Sequence, residues 1–235
     1  MIPIFVISFN RLWCLQPCIE ALCKLGEEVT LIVIDNGSSY PPLLSYLKAL
    51  EEKGIEVYYR KPLKSIRNLY GSIIESVNLW FKSHEASFYG ICDCDIVLEN
   101  PSPTYLQTFT DLLKEKPTIQ AVGCILRIDD IPDYYPLKAT VLKRHKRFTT
   151  SPLHTKEHVT FVEAPIDTTF AIYRSSYRKA GVTKAAIRLC GNFQAKHLDW
   201  YINPNDMMED QILYLKGSTK SVSHWGGGWL KSRLK

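Results

Sequence analysis

The strongest constraint on the fold is an alternation of two hydrophobic periods along the first hundred residues. The run IPIFVISF (2–9) is apolar at nearly every position, and VTLIVID (29–35) repeats the pattern. A strand of this kind is covered on both faces, because a half-exposed strand alternates apolar with polar residues. Between and after these runs the spacing changes to threes and fours. Leu12, Leu15, Ile19 and Leu22 make one stripe; Leu43, Leu44, Leu47 and Leu50, closed by Gly54, make a second; Leu69, Ile73, Val77 and Trp80 make a third. Each is one face of a helix. A short strand, IEVYY (55–59), precedes the third stripe, and a fourth strand leads into YGICDCDIVLENP (89–101). Strands separated by helices of this length build βαβ units on a parallel sheet. For 235 residues this predicts one α/β domain, with a mostly parallel central sheet flanked by helices.

The second half is less regular. A helix is expected at about 104–116 and a strand at about 119–127. Residues 129–160, rich in proline, aspartate and tyrosine and carrying KRHKR (143–147), read as a long surface excursion. FVEAPIDTTFAIYR (161–174) returns to a strand-like pattern, and NPNDMMEDQILYLKG (203–217) to a helix with an acidic first turn.

Composition narrows the function classes. A net charge of +5 is compatible with an anionic small molecule and far from what a dedicated nucleic-acid binder carries. Seven cysteines, an odd number with no CxxC pair, argue against a disulfide framework or structural zinc and for reduced core thiols in a cytoplasmic chain. The apolar opening MIPIFVISF is too short to span a membrane and lacks a basic lead-in for export. NGS at 36–38 is read as a chance acceptor sequence in a cytosolic loop.

In open parallel sheets ligands bind beyond the carboxyl ends of the strands. The polar residues at those ends are Ser8 and Asn10, then Asp35 and Asn36, then Asp93 and Asp95. Two carboxylates at positions i and i+2 repel one another when buried unless a cation compensates them. Such a pair suits Mg²⁺ or Mn²⁺, whose remaining ligands are often substrate phosphates. Late in the chain, His224 in SVSHW could complete the metal site. Beyond it GGGW, Lys231 and Arg233 could close over a diphosphate, with a frayed basic terminus as the alternative. Asp35 in IDNGSS can accept from a base or ribose, or serve the turn alone. Arg67 at a helix start could meet a phosphate. Glu209 or Asp210 in MEDQ could act as general base or only complement a helix dipole. Asp167 in APIDTTF could bind an acceptor hydroxyl, and KRHKR is a solvated run or an anion-binding one.

In their order, FVISFNR, VIDNGSS and ICDCDIVLENP resemble the nucleotide-sugar-binding half of GT-A fold glycosyltransferases, of the family-2 type and its relatives. HLDWYINPNDMMEDQILYLK resembles their later segment with a carboxylate base, and SHW their C-terminal metal-binding histidine. The resemblance implies a Rossmann-like GT-A domain over 1–235, with 1–100 the nucleotide-sugar half and 101–235 the acceptor half. It implies a nucleoside diphosphate sugar donor, a UDP-sugar first, and Mn²⁺ or Mg²⁺ bridging Asp95 to the diphosphate. Asp93 would face the ribose or sugar, Asp35 the base, and Asn10 and Arg11 would lie along the nucleotide. Asp210, or Glu209 beside it, would deprotonate the acceptor hydroxyl in an inverting transfer, within glycan or polysaccharide synthesis. The acceptor would be a glycan, a lipid-linked molecule or a protein, reached from the cytoplasm or a membrane surface. A retaining transferase, a nucleotidyltransferase and an inactive nucleotide-sugar-binding module are the alternatives. The Gln-x-x-Arg-Trp motif of processive family members is absent, which points to single-sugar transfer.

Overall fold

The computed structural model describes residues 1–62, 65–150, 153–156, 159–179 and 181–217. In chain order the elements begin β1 (Ile2–Ser8), α1 (Leu12–Cys23), β2 (Val29–Asp35), α2 (Pro41–Glu52), β3 (Glu56–Tyr59), α3 (Ile66–Trp80) and β4 (Phe88–Asp93). They continue β5 (Ile96–Leu98), α4 (Pro103–Glu115), β6 (Ala121–Leu126), α5 (Lys138–Thr150), β7 (His154–Lys156) and β8 (Val159–Glu163). Then follow β9 (Ala171–Arg174), β10 (Ala186–His197), a single helical turn at Leu198–Tyr201, and α6 (Glu209–Gly217).

One sheet holds these strands in the order β3-β2-β1-β4-β9-β6-β10-β8-β7, with β5 paired to β10. β3, β2, β1 and β4 are parallel, as the βαβ pattern predicts, and β6 is parallel to β10. β9, β8, β7 and β5 join antiparallel to their neighbours. The continuous apolar character of β1 and β2 follows from helices on both faces. Ile4, Val6, Leu31 and Val33 belong to the core shared with α1, α2 and α4. Phe5, Ile7, Ile32 and Ile34 meet Leu69, Ile73, Val77 and Trp80 of α3 on the other face. Period two along the strands and 3.6 along the helices therefore describe the same two cores.

Three expectations need correction. Residues 129–160 are not a simple surface excursion, since α5 occupies 138–150 and carries KRHKR on a helix. Its buried positions are Val141, His145 and Phe148, a helical stripe with a histidine at its centre, and so its polar composition conceals the period. The strand expected over 161–174 is two strands, β8 and β9, separated by a loop that begins at Ala164 and holds Pro165, which has no N–H for a ladder. The helix expected over 203–217 begins only at Glu209. β10 had no counterpart in the periodicity, because a register shift between Leu189 and Gln194, around Gly191 at φ +67°, breaks its alternation.

Candidate active-site cleft

The carboxyl ends of β1 and β2 are locked together by one residue. Asn10 adopts φ +50°, a left-handed conformation that asparagine tolerates better than most residues. Its N–H donates to Ser38 Oγ (2.9 Å), while its Oδ1 accepts from the N–H groups of Ser39 (2.7 Å) and Tyr40 (3.0 Å). Asp35 is buried and serves the same turn, accepting from the Ser38 hydroxyl and from the Ser38 N–H at 3.1 Å. Burial raises the Asp35 carboxyl above its ordinary range, against the opposing bonds from Ser38. Gly37 must be glycine, since φ is +78° and a Cβ there would lie 2.6 Å from Pro62. Asn36, by contrast, turns toward the cleft, with its Oδ1 accepting from Ser72 Oγ at 2.8 Å.

The acidic centre is assembled by pairing between distant segments. β4 ends at Asp93, and the Cys94 N–H still bonds the Ile7 carbonyl of β1 at 3.1 Å. The chain then turns into β5, which pairs antiparallel with β10 so that Ile96 faces His197. That register sets His197 and Asp199 beside Asp95, and one ligand atom from each lies within 4.8 Å of the others. Arg11 Nη1 bridges the acids, 2.7 Å from Asp95 Oδ2 and 2.9 Å from Asp199 Oδ1. Its guanidinium lies over the Tyr214 ring of α6 at 4.2 Å. His197 stacks on Trp200 at 4.8 Å and brings Nδ1 to 3.7 Å from Asp95 Oδ2. Asp95 Oδ1 is buried and has no hydrogen-bond partner among the described residues.

Burial works against all three carboxylates here, and their neighbours divide them. For Asp95, Arg11 and then His197 outweigh desolvation, and its carboxyl is held below the ordinary range. For Asp199, burial prevails over Arg11, and Asp95 adds repulsion, so its carboxyl is raised. Asp93 is also raised, by burial and then by Asp95. It is anchored by Thr168, whose hydroxyl donates to Asp93 Oδ2 and whose carbonyl accepts the Asp93 N–H at 2.9 Å.

A cleft of about 260 Å³ opens over this centre. Ser8 and Asn36 line it at the β1–β2 side, Leu69 and Tyr70 of α3 line it with the Tyr70 ring near Gly181 and Asp167, and Arg11, Asp93, Asp95, His197 and Asp199 line it at its middle. Arg144, His145, Arg147 and Phe148 of α5 line the far side, with Asp167 and Arg188. Of the three acids expected at the acceptor hydroxyl, Asp167, Glu209 and Asp210, Asp167 faces the cleft, half exposed and 3.8 Å from Arg188 Nη2. Asp210 is buried elsewhere, and its Oδ2 accepts the Trp13 N–H at 2.8 Å. Glu209 is exposed and accepts from the Tyr40 hydroxyl at 3.3 Å. Asp35 and exposed Arg67 do not line the cleft, and His224 and Lys231 lie outside the described residues.

Sequence reasoning overlooked His197, Asp199, Thr168 and Arg188. The first two were visible as a His-x-Asp step in KHLDWY, which the structure places at the junction of β10 and the helical turn Leu198–Tyr201. Thr168 and Arg188 carry no local signal, because their roles come from β9 and β10 lying between β4 and β8.

No protein-family model and no curated protein sequence matches the chain. Solved structures do. GalNAc-T7 with UDP, GalNAc and Mn²⁺ aligns with 83% of this chain and 42% of its own, at a TM-score of 0.52 and 12% identity. S. aureus TarS (1–349) with UDP-GlcNAc aligns with 92% of this chain and 66% of its own, at 0.48 and 13%. The mannosyltransferase PcManGT from Pyrobaculum calidifontis, with GDP-Man and Mn²⁺, aligns with 74% of this chain and 44% of its own, at 0.48 and 13%. The chain thus spans less than half the length of GalNAc-T7, and what it shares with it is the GT-A glycosyltransferase fold.

Proposed function

We propose that this chain is a metal-dependent glycosyltransferase that moves one sugar from a nucleoside diphosphate sugar to an acceptor hydroxyl. The observation that carries this reading is the Asp95–His197–Asp199 group, which opens into a cleft at the carboxyl ends of β1 and β4 in a GT-A fold. The donor set of two carboxylates and an imidazole suits Mn²⁺ and admits Mg²⁺. The buried Asp95 Oδ1, without a partner among the described residues, fits a further cation. Asp95, His197 and Asp199 would hold the metal, which would supply positive charge to the departing diphosphate.

The chain's own groups divide the remaining work. Ser8 and Asn36 offer polar contacts to the nucleotide at the β1–β2 side, and the Tyr70 ring offers a face for its base. Asp93, fixed by Thr168, presents its carboxyl to the ribose or the sugar. Asp167 is the base in this reading, because it alone of the three candidates faces the cleft. It takes the proton of the acceptor hydroxyl as that oxygen bonds the anomeric carbon and the bond to the diphosphate breaks. Configuration is then inverted.

GalNAc-T7 was solved with UDP, GalNAc and Mn²⁺, so UDP-sugars head the donor panel. Purified protein with Mn²⁺ should release nucleoside diphosphate from one donor and stop on chelation. A second reading has a specific observation in its favour. Arg11 already compensates Asp95 and Asp199, as it would in a transferase or binding module that needs no metal. Donor hydrolysis or donor binding that survives chelation unchanged would select that second reading.

A further inference from the structure

The proposed donor reading accounts for the β1–β2 side and the middle of the cleft, but not for its far side. There α5 contributes Arg144 and Arg147, and β10 contributes Arg188 from beneath. The helix buries Val141, His145 and Phe148, so that KRHKR is laid across its surface with Arg144 and Arg147 exposed at the cleft. Phe148 organises two of the cations. Its ring lies 4.6 Å from the Arg147 guanidinium and 4.9 Å from that of Arg188, while it packs on Ile125 of β6 and Val162 of β8. Arg188 is 4% exposed, and its Nε and Nη1 donate to the carbonyls of Pro165 (3.0 Å) and Cys124 (3.2 Å). Among the cleft-lining residues Asp167 stands 3.8 Å from Arg188 Nη2. The far side thus brings three guanidiniums to the cleft, whereas the middle holds Asp93, Asp95 and Asp199 around one arginine.

Sheet order says which substrate meets these arginines. β6 and β8, on which α5 sits, are separated from β1 and β2 by β4 and β9. A nucleotide held at Ser8 and Asn36 with its diphosphate at Asp95 leaves the α5 side to the acceptor. We propose that α5 and β10 form an acceptor subsite for a phosphate monoester, with the acceptor hydroxyl delivered beside Asp167. Guanidinium forks match phosphate oxygens, and Arg144 and Arg147 bring two of them to the cleft while Arg188 adds charge from beneath. A soluble phosphorylated alcohol and the headgroup of lysophosphatidic acid present the same group, a phosphate monoester with a free hydroxyl near it. This inference rests on the donor reading for its assignment to the acceptor.

The test is calorimetric, with the protein titrated separately by UDP plus Mn²⁺ and by glycerol phosphate. The Arg144→Gln/Arg147→Gln double variant is expected to weaken glycerol phosphate binding by at least roughly tenfold and to leave the UDP affinity unchanged. Lys146→Gln, on the same helix but not at the cleft, should alter neither. Sedimentation with phosphatidylcholine vesicles carrying lysophosphatidic acid separates the sources: co-sedimentation lost in the double variant identifies a lipid phosphate, and binding of glycerol phosphate alone a soluble one. Wild-type protein that binds UDP but neither phosphate probe would overturn the inference and leave the donor reading intact. Equal weakening of UDP and glycerol phosphate in the double variant would also overturn it, because the arginines would then serve the donor. Glycerol phosphate binding with no UDP binding would remove the donor reading, and with it the assignment to an acceptor.

Discussion

At the scale of single residues the site is governed by Arg11. Its guanidinium answers two buried carboxylates at once, and without it both would lie in the core edge with no guanidinium beside them among the described residues. Arg11→Leu is expected to destabilise the metal-free protein by roughly 3–5 kcal/mol, the usual penalty for breaking a buried ion pair. Mn²⁺ should recover part of that loss, so the Mn²⁺-induced rise in melting temperature should exceed that of the wild type. An equal or smaller rise would mean that these acids hold no metal. Asp167→Asn should lower turnover by roughly 10²–10⁴-fold while nucleotide affinity is kept, as expected for loss of a general base. Asp210→Asn should act differently. Its carboxylate caps the Trp13 N–H at the start of α1, so about 1 kcal/mol of stability should be lost with turnover retained. Turnover lost at unchanged stability would return the base to α6.

At the scale of elements, α5 is the most informative. Its His145 is buried beside the Trp200 ring, and burial, then Arg188, His197 and Arg144, push its imidazole down to about 3 from an ordinary 6.5, with Asp167 opposing them. Between those two values the unfolded chain takes up a proton that the folded chain refuses. Stability is therefore fully present above about pH 6.5 and falls as the pH drops, by up to ~1.4 kcal/mol per pH unit from this group. Urea unfolding at a series of pH values should show a flatter acid limb for His145→Gln than for the wild type. Matching limbs would place the acid sensitivity in other groups. α3 supplies a smaller test, because Ser65 Oγ accepts the Asn68 N–H at 3.3 Å as its N-cap.

At the scale of the whole molecule, the sheet brings the candidate centre together from segments nearly 190 residues apart, as Arg11 and Asp199 demonstrate. Such a centre is sensitive to ligands that bridge its parts. At a hundredfold excess over its dissociation constant, a ligand that binds only the folded state adds about 2.7 kcal/mol. For a chain of this size that corresponds to roughly 5–10 °C. UDP and Mn²⁺ together should approach this shift, and either alone should fall well short. Equal shifts with UDP alone would detach nucleotide binding from the metal.

The amino-acid sequence by itself determined the parallel half of the fold. In β1, β2 and β4, continuous apolar runs could be satisfied only by helices on both faces, and the stripes of α1, α2 and α3 supplied them. It also determined that Asp93 and Asp95 stand at a strand end on the rim that lines the cleft, because both the spacing and the strand boundary are local facts. What completes the acidic centre was decided by tertiary structure. His197 and Asp199 reach Asp95 only through the antiparallel pairing of β5 with β10, and no local period encodes a partner a hundred residues away. Tertiary structure likewise turned KRHKR from an excursion into the wall of a cleft. A helix whose buried stripe contains a histidine shows its period only once the neighbours that keep that histidine neutral, Arg188 and Trp200 among them, are in place.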